Sequence, residues 1–139
     1  MLFRSGTYFA VKEVDLGMVA DVGSLQRLPR LIGEGMVREL AYTGRKLGAA
    51  EAGQIGLVNR VFDSPEALLE GVMQLARAIA AKSPLAIRGT KDMLNHARDH
   101  SVADGLDRVA TWNAAMLLSE DLQAAIRAGL TKQPPKFRD

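Results

Sequence analysis

The sequence predicts an α/β chain, mixed in character over residues 1–64 and helical over 65–139, on three observations. Residues 7–13 (Thr-Tyr-Phe-Ala-Val-Lys-Glu) alternate as a half-buried strand does. Ser64-Pro65 then marks a change of character. Beyond it, apolar residues recur at helical spacing, and serines stand where helices are capped.

Each element follows from its local residues. The alternation at 7–13 puts Phe9, Val11 and Glu13 on one strand face, with Lys12 pointing the other way. Ser24 can cap a short helix that Pro29 stops. Residues 34–42 read as another short helix, 44–56 as a turn rich in Gly and Ala, and 57–62 as a strand. A helix over 66–81 places Leu68, Leu69, Val72, Leu75, Ala76 and Ile79 on one stripe. Ser83-Pro84 opens a helix to about Ala97, because proline is tolerated in a first turn. Ser101-Val-Ala-Asp104 has the form of a capping box and starts a helix carrying Leu106, Val109, Asn113 and Met116 inward. Ser119-Glu-Asp121 places acids at the positive end of a last helix, whose apolar face is Leu122, Ala125 and Ile126. Pro134-Pro135 ends regular structure.

Composition removes several classes of function. The net charge is +2 and aromatics make up 5% of the chain, so the interleaved basic and stacking residues of a nucleic-acid binder are missing. With no cysteine, disulfides, thiolate nucleophiles and thiolate metal sites are excluded. Two histidines, His96 and His100, are too few for a histidine-only metal site, and no metal is expected. No apolar run has membrane-spanning length. Neither a signal-peptide pattern nor a peroxisomal C-terminal address is read, which makes a cytoplasmic protein the default expectation.

Glu13 and Asp21 carry the strongest chemical signal. They stand eight residues apart on either side of a glycine-containing turn. Paired carboxylates in unlike surroundings can act as proton donor and proton acceptor at one pH. Without further context they read equally as a solvated strand end and a helix-cap acid. Asp15 is out of strand phase with Glu13 and reads as a turn acid. His96 and His100 read as surface or capping residues, and Trp112 and Asn113 as packing and interface residues. The glycines form no phosphate-binding pattern.

Three stretches meet a known family. They are residues 7–33, Leu47-Gly-Ala-Ala-Glu-Ala-Gly-Gln-Ile-Gly-Leu-Val-Asn-Arg-Val61, and Lys82-Ser-Pro-Leu-Ala-Ile87. Together they resemble the crotonase (enoyl-CoA hydratase/isomerase) superfamily, over essentially the whole chain and aligned to the C-terminal half of that fold. Within it, Glu13-Val-Asp-Leu-Gly-Met-Val-Ala-Asp-Val-Gly-Ser-Leu-Gln-Arg-Leu-Pro29 looks most like the Δ3,5-Δ2,4-dienoyl-CoA isomerase subgroup. Arg98-Asp-His-Ser-Val-Ala-Asp-Gly-Leu106 and Val109-Ala-Thr-Trp-Asn113 share that likeness.

The resemblance implies the C-terminal portion of a crotonase-like ββα spiral over residues 1–64, then a helical trimerisation segment over 65–139. It implies an acyl-CoA double-bond isomerase of fatty-acid β-oxidation, acting on an acyl-CoA thioester as a homotrimer or dimer of trimers. No cofactor is implied beyond the CoA that the substrate carries. Asp21 matches the position that takes a proton next to the thioester carbonyl, and Glu13 the position that delivers one at the far end of the diene. The backbone N–H groups of the family's oxyanion hole lie upstream of this Glu, at positions before Met1. Lys132 matches a lysine that reaches the adenine region of CoA; on its own it reads as part of a solvated basic tail. Enoyl-CoA hydration is the alternative chemistry, although hydratases place a small residue where Asp21 stands. A non-catalytic C-terminal fragment or assembly module is the alternative of a different class.

Overall fold

The computed structural model describes residues 2–138. The chain forms two compact units, Met1–Met73 and Gln74–Asp139.

The first unit opens with β1 (Leu2–Arg4) and β2 (Tyr8–Phe9), then a 3-10 turn at Glu13–Leu16. α1 (Ser24–Arg27) runs into a second 3-10 turn at Leu28–Arg30. Next come α2 (Glu34–Thr43), β3 (Leu47–Gly48), α3 (Ala49–Gln54) and β4 (Arg60–Phe62), and α4 (Pro65–Ala80) crosses into the second unit. β1 pairs with β4 in parallel, Phe3 opposite Val61, while β2 pairs antiparallel with β3, Phe9 opposite Leu47. Ile32, Val37, Leu40, Leu47, Ala52, Leu57 and Val58 form the buried cluster, with Phe3 and Phe9 packed on it edge to face at 4.6 Å. Fully burying an aliphatic side chain is worth ~1.5–3 kcal/mol, so this cluster is what fixes the unit.

Four expectations for this unit need correction. The strand expected over 7–13 hydrogen-bonds only at Tyr8–Phe9, because β3 offers just two partner residues. Glu13 instead opens the 3-10 turn, yet burial still alternates through 7–13, and Phe9, Val11 and Glu13 do share the half-buried side. Ser24 is the first residue of α1 rather than its cap; that place is taken by Gly23, which is left-handed at φ 88°. Residues 44–56 are not a plain turn but hold β3 and α3, and the strand expected over 57–62 shrinks to Arg60–Phe62. Ala49 and Ala52 are buried on α3, so the small side chains that suggested a turn serve close packing instead.

In the second unit the capping signals act as the sequence predicts. Ser83 Oγ accepts from the Ala86 amide at 3.2 Å and opens α5 (Pro84–His96). Ser101 and Asp104 form the reciprocal capping box of α6 (Val102–Met116). Ser119 Oγ accepts from the Leu122 amide at the start of α7 (Glu120–Thr131). α5 and α6 meet where the Trp112 indole lies against Gly89, and an Arg108–Asp92 ion pair at 2.8 Å joins the same helices. Asp121 is buried and accepts from Ser83 Oγ at 2.5 Å, tying the starts of α5 and α7 together. His100 Nδ1 donates to the His96 carbonyl at 2.8 Å and lies 2.8 Å from Asp99, and both contacts push its pKa up.

The inward faces assigned to the last helices are only partly inward. Val109, Met116 and Leu122 are half-buried, but Leu106, Asn113, Ala125 and Ile126 are exposed. Among the described residues, every buried apolar side chain lies between Ala20 and Val58. Among the described residues, the stripes that the sequence pattern predicts are covered in part only.

Candidate active site

The segment from Phe9 to Leu31 carries both candidate carboxylates. After β2 the chain turns at Lys12, whose carbonyl accepts from the Asp15 amide at 3.0 Å while its Nζ pairs with Asp15 Oδ2 at 2.7 Å. Gly17, left-handed at φ 70°, closes the turn, and the Glu13 carbonyl accepts from the Met18 amide at 3.1 Å. Asp15 is thus a turn acid, as read from the sequence. Its carboxylate also lies against buried Gly44, the left-handed residue that ends α2. These contacts fix the backbone of the Glu13 turn. Asp21 follows buried Ala20 and precedes left-handed Gly23, at the entry to α1.

Among the described residues, neither the Glu13 nor the Asp21 carboxylate takes a hydrogen bond or ion pair. Glu13 is half-buried and Asp21 exposed, which gives the pair the unlike surroundings that divided acid and base roles need. Val11, just before Glu13, and Val22, just after Asp21, line one apolar cleft of about 370 Å³. Phe9, Leu28, Leu31 and Leu57 make much of its remaining wall, and Arg27 brings its one charge. The structure therefore sets the two carboxylate-bearing segments beside one apolar cleft, while neither Glu13 nor Asp21 is itself among its lining residues.

A second polar array supports this region from below. Arg45 donates from Nε to Glu39 at 2.7 Å, and from both terminal nitrogens to Glu51 at 3.0 and 2.6 Å. The paired Glu51 is held below the usual carboxylate range by that fork, and the Arg45 guanidinium is held more firmly protonated by Glu51 and then Glu39. The array joins the end of α2 to α3, whose Ala52 and following Leu57 belong to the core.

Lys132 stands in the other unit, exposed and left-handed at φ 54°, where its amide closes α7 onto the Ala128 carbonyl. The tail turns back so that Arg138 pairs with Glu120 at 3.1 Å. Arg127 and Lys136 line the cavity formed there, and Lys132 does not. Sequence reasoning missed Arg27, which reads as one more basic residue of a short helix until its place on the cleft is seen. Its spacing of four residues from a turn glycine was the available signal.

Residues 3–139 match the enoyl-CoA hydratase/isomerase family, and the chain belongs to it. Two of its relatives are the peroxisomal Δ(3,5)-Δ(2,4)-dienoyl-CoA isomerase of Arabidopsis thaliana and the mitochondrial enzyme of that name from Homo sapiens. The first is 50% identical over 94% of this chain and 47% of its own length. The second is 51% identical over 87% of this chain and 37% of its own length. This chain thus spans less than half of either relative. The solved structure of an enoyl-CoA hydratase from Mycobacterium tuberculosis superposes with a TM-score of 0.92 at 30% identity, over 99% of this chain and 54% of that one. The crotonase-like fold expected from residues 7–33 and 47–61 is the fold the chain has. The cytoplasmic expectation is overturned, because these two relatives are named as peroxisomal and mitochondrial proteins.

Proposed function

We propose that this chain supplies the acid–base pair of an acyl-CoA double-bond isomerase of the dienoyl type. The observation that carries the reading is two unengaged carboxylates on segments lining the same apolar cleft, in a chain about half identical to dienoyl-CoA isomerases. Asp21 takes the proton from the carbon next to the thioester carbonyl. The electron pair moves through the enolate, and Glu13 returns a proton at the far end of the conjugated system. One C–H bond breaks and one forms, the two double bonds shift from the 3,5 to the 2,4 positions, and nothing is oxidised or reduced. The proton next to a thioester becomes acidic only when the enolate oxygen is stabilised, and that stabilisation comes from donors outside this chain. The CoA contact at Lys132 belongs to the same proposal.

The helical segment fits assembly into a homotrimer or dimer of trimers. Its exposed side chains include Leu94, Val102, Leu106, Leu118 and Leu130, more apolar surface than an isolated helical unit keeps in water. Hydration, the chemistry named for the Mycobacterium tuberculosis neighbour, is less well supported, since identity to that protein is 30% against 50% and 51% for the isomerases. The test is conversion of 3,5-dienoyl-CoA to the 2,4-isomer, followed in the ultraviolet with the purified chain supplied with the N-terminal portion of a dienoyl-CoA isomerase relative. Turnover that disappears in Asp21→Asn, with acyl-CoA binding retained, is the expected result. Turnover little changed in that variant would remove Asp21 from the reaction.

A further inference from the structure

We infer that Arg27 is a positioning residue for Asp21, holding the backbone of the Asp21-Val22-Gly23 loop beside the cleft that Val22 and Arg27 line; this rests on the acid–base reading above. The loop has no burial to hold it. Asp21 is exposed and Val22 is 71% exposed, while the nearest buried residue is Ala20 on the upstream side. The helix that follows anchors the loop only from its far end, where Leu28 packs against the core. α1 has four residues and no side-chain cap, and one turn of helix is too short to persist unaided.

Arg27 makes the missing contacts. Its Nη1 donates to the Val22 carbonyl at 3.4 Å, and its amide donates to the Gly23 carbonyl at 3.2 Å. The guanidinium lies against Gly23, where an added Cβ would stand 3.3 Å from Arg27 Cζ. Gly23 thus meets two demands, a left-handed turn at φ 88° and room for the arginine. Among the described residues Arg27 has no acidic partner, so its charge is free for the loop carbonyl. A guanidinium stays protonated throughout the working range and presents its donors in a fixed plane. A lysine could reach the carbonyl but could not lie flat against the glycine.

The test is nuclear magnetic resonance on this chain, comparing wild type with Arg27→Gln, Arg27→Lys and Gly23→Ala. In Arg27→Gln, amide exchange at residues 21–24 should rise about tenfold, the scale expected when a charge-assisted hydrogen bond is lost. The Phe9 and Leu47 amides should keep their wild-type exchange. Arg27→Lys should recover part of the protection, while Gly23→Ala, strained at φ 88° whatever its neighbour, shows the exchange of a loop opened with the arginine still present. Unchanged exchange at 21–24 in both Arg27 variants, with the core amides intact, overturns the inference. If Arg27→Gln loses the core amides as well, Arg27→Lys decides it by the same criterion. These readouts need no turnover, so turnover left unchanged by Asp21→Asn would count against the proposed function and leave the loop result standing.

Discussion

Gly44→Ala tests how firmly the Glu13 turn is seated. Gly44 ends α2 in the left-handed conformation at φ 59°, a shape that costs an L-residue ~1–2 kcal/mol. The position is also buried, and an added methyl would stand 3.1 and 3.2 Å from the Asp15 carboxylate oxygens. The carboxylate must withdraw by a few tenths of an ångström, loosening the exposed Lys12–Asp15 pair, which is worth ~0.2–1 kcal/mol. Against these terms, alanine narrows the unfolded ensemble and returns ~0.4–1 kcal/mol. The net expectation is a loss of about 1–2 kcal/mol.

Urea unfolding followed by circular dichroism reads this directly. With a slope of ~2 kcal/mol per molar urea, the midpoint should fall by about 0.5–1 M at unchanged slope. Gly35→Ala is the matched control on the same helix. Nothing lies within 4 Å of its added methyl, and alanine is the better helix former by up to ~1 kcal/mol, so that variant should be neutral or stabilised. If Gly44→Ala unfolds at or above the wild-type midpoint, the left-handed cap and the Asp15 contact do not hold this turn.

Two further outcomes follow from the same geometry. Glu51 is held below its ordinary value of 4.5 by its bond to Arg45, so its stabilisation is complete above that pH and fades as pH falls through the folded-state value. The urea midpoint should therefore drop more steeply between pH 6 and 3 in wild type than in Glu51→Gln, and parallel slopes would refute the role of the pair. Gly89→Ala places a methyl 2.5 Å from Trp112 Nε1, which forces the indole aside and should cost ~1–2 kcal/mol as overpacking. Trp112 is the chain's one tryptophan, so unchanged emission in that variant would contradict the contact.

What the sequence made legible was mostly local. Ser83, Ser101 and Ser119 each cap the helix they precede, because a capping hydrogen bond spans only three residues. The alternation at 7–13 correctly reported which side chains turn inward even though the strand ladder stops at Phe9, since burial and backbone pairing are separate consequences of an extended chain. β3 was illegible because two residues become a strand only when β2 lies beside them. At the site, the types and spacing of Glu13 and Asp21 were readable. The contacts that seat them were not, because Asp15 on Gly44 and Arg27 on Gly23 depend on where turns bring remote or left-handed residues.

Helical periodicity shows that a face is apolar, and it is silent on what covers that face. α2 is partnered inside the chain: Val37 and Leu40 are buried in the core cluster. α6 has equally clear apolar positions, yet Val102 is 81% exposed and Leu106 63%. Removing a large aliphatic side chain from water is worth ~1.5–3 kcal/mol, so several exposed positions of this kind form a large reserve of unrealised stabilisation. The last helices are also tied by polar contacts, Ser83 to Asp121, Asp92 to Arg108 and Glu120 to Arg138, beside the packing of Trp112 on Gly89. Polar ties of this sort set the register of helices without consuming their apolar faces. The unit carrying Glu13, Asp21 and Arg27 is thus ordered by its own buried cluster, whereas the last helices keep exposed apolar side chains, as the proposed assembly requires.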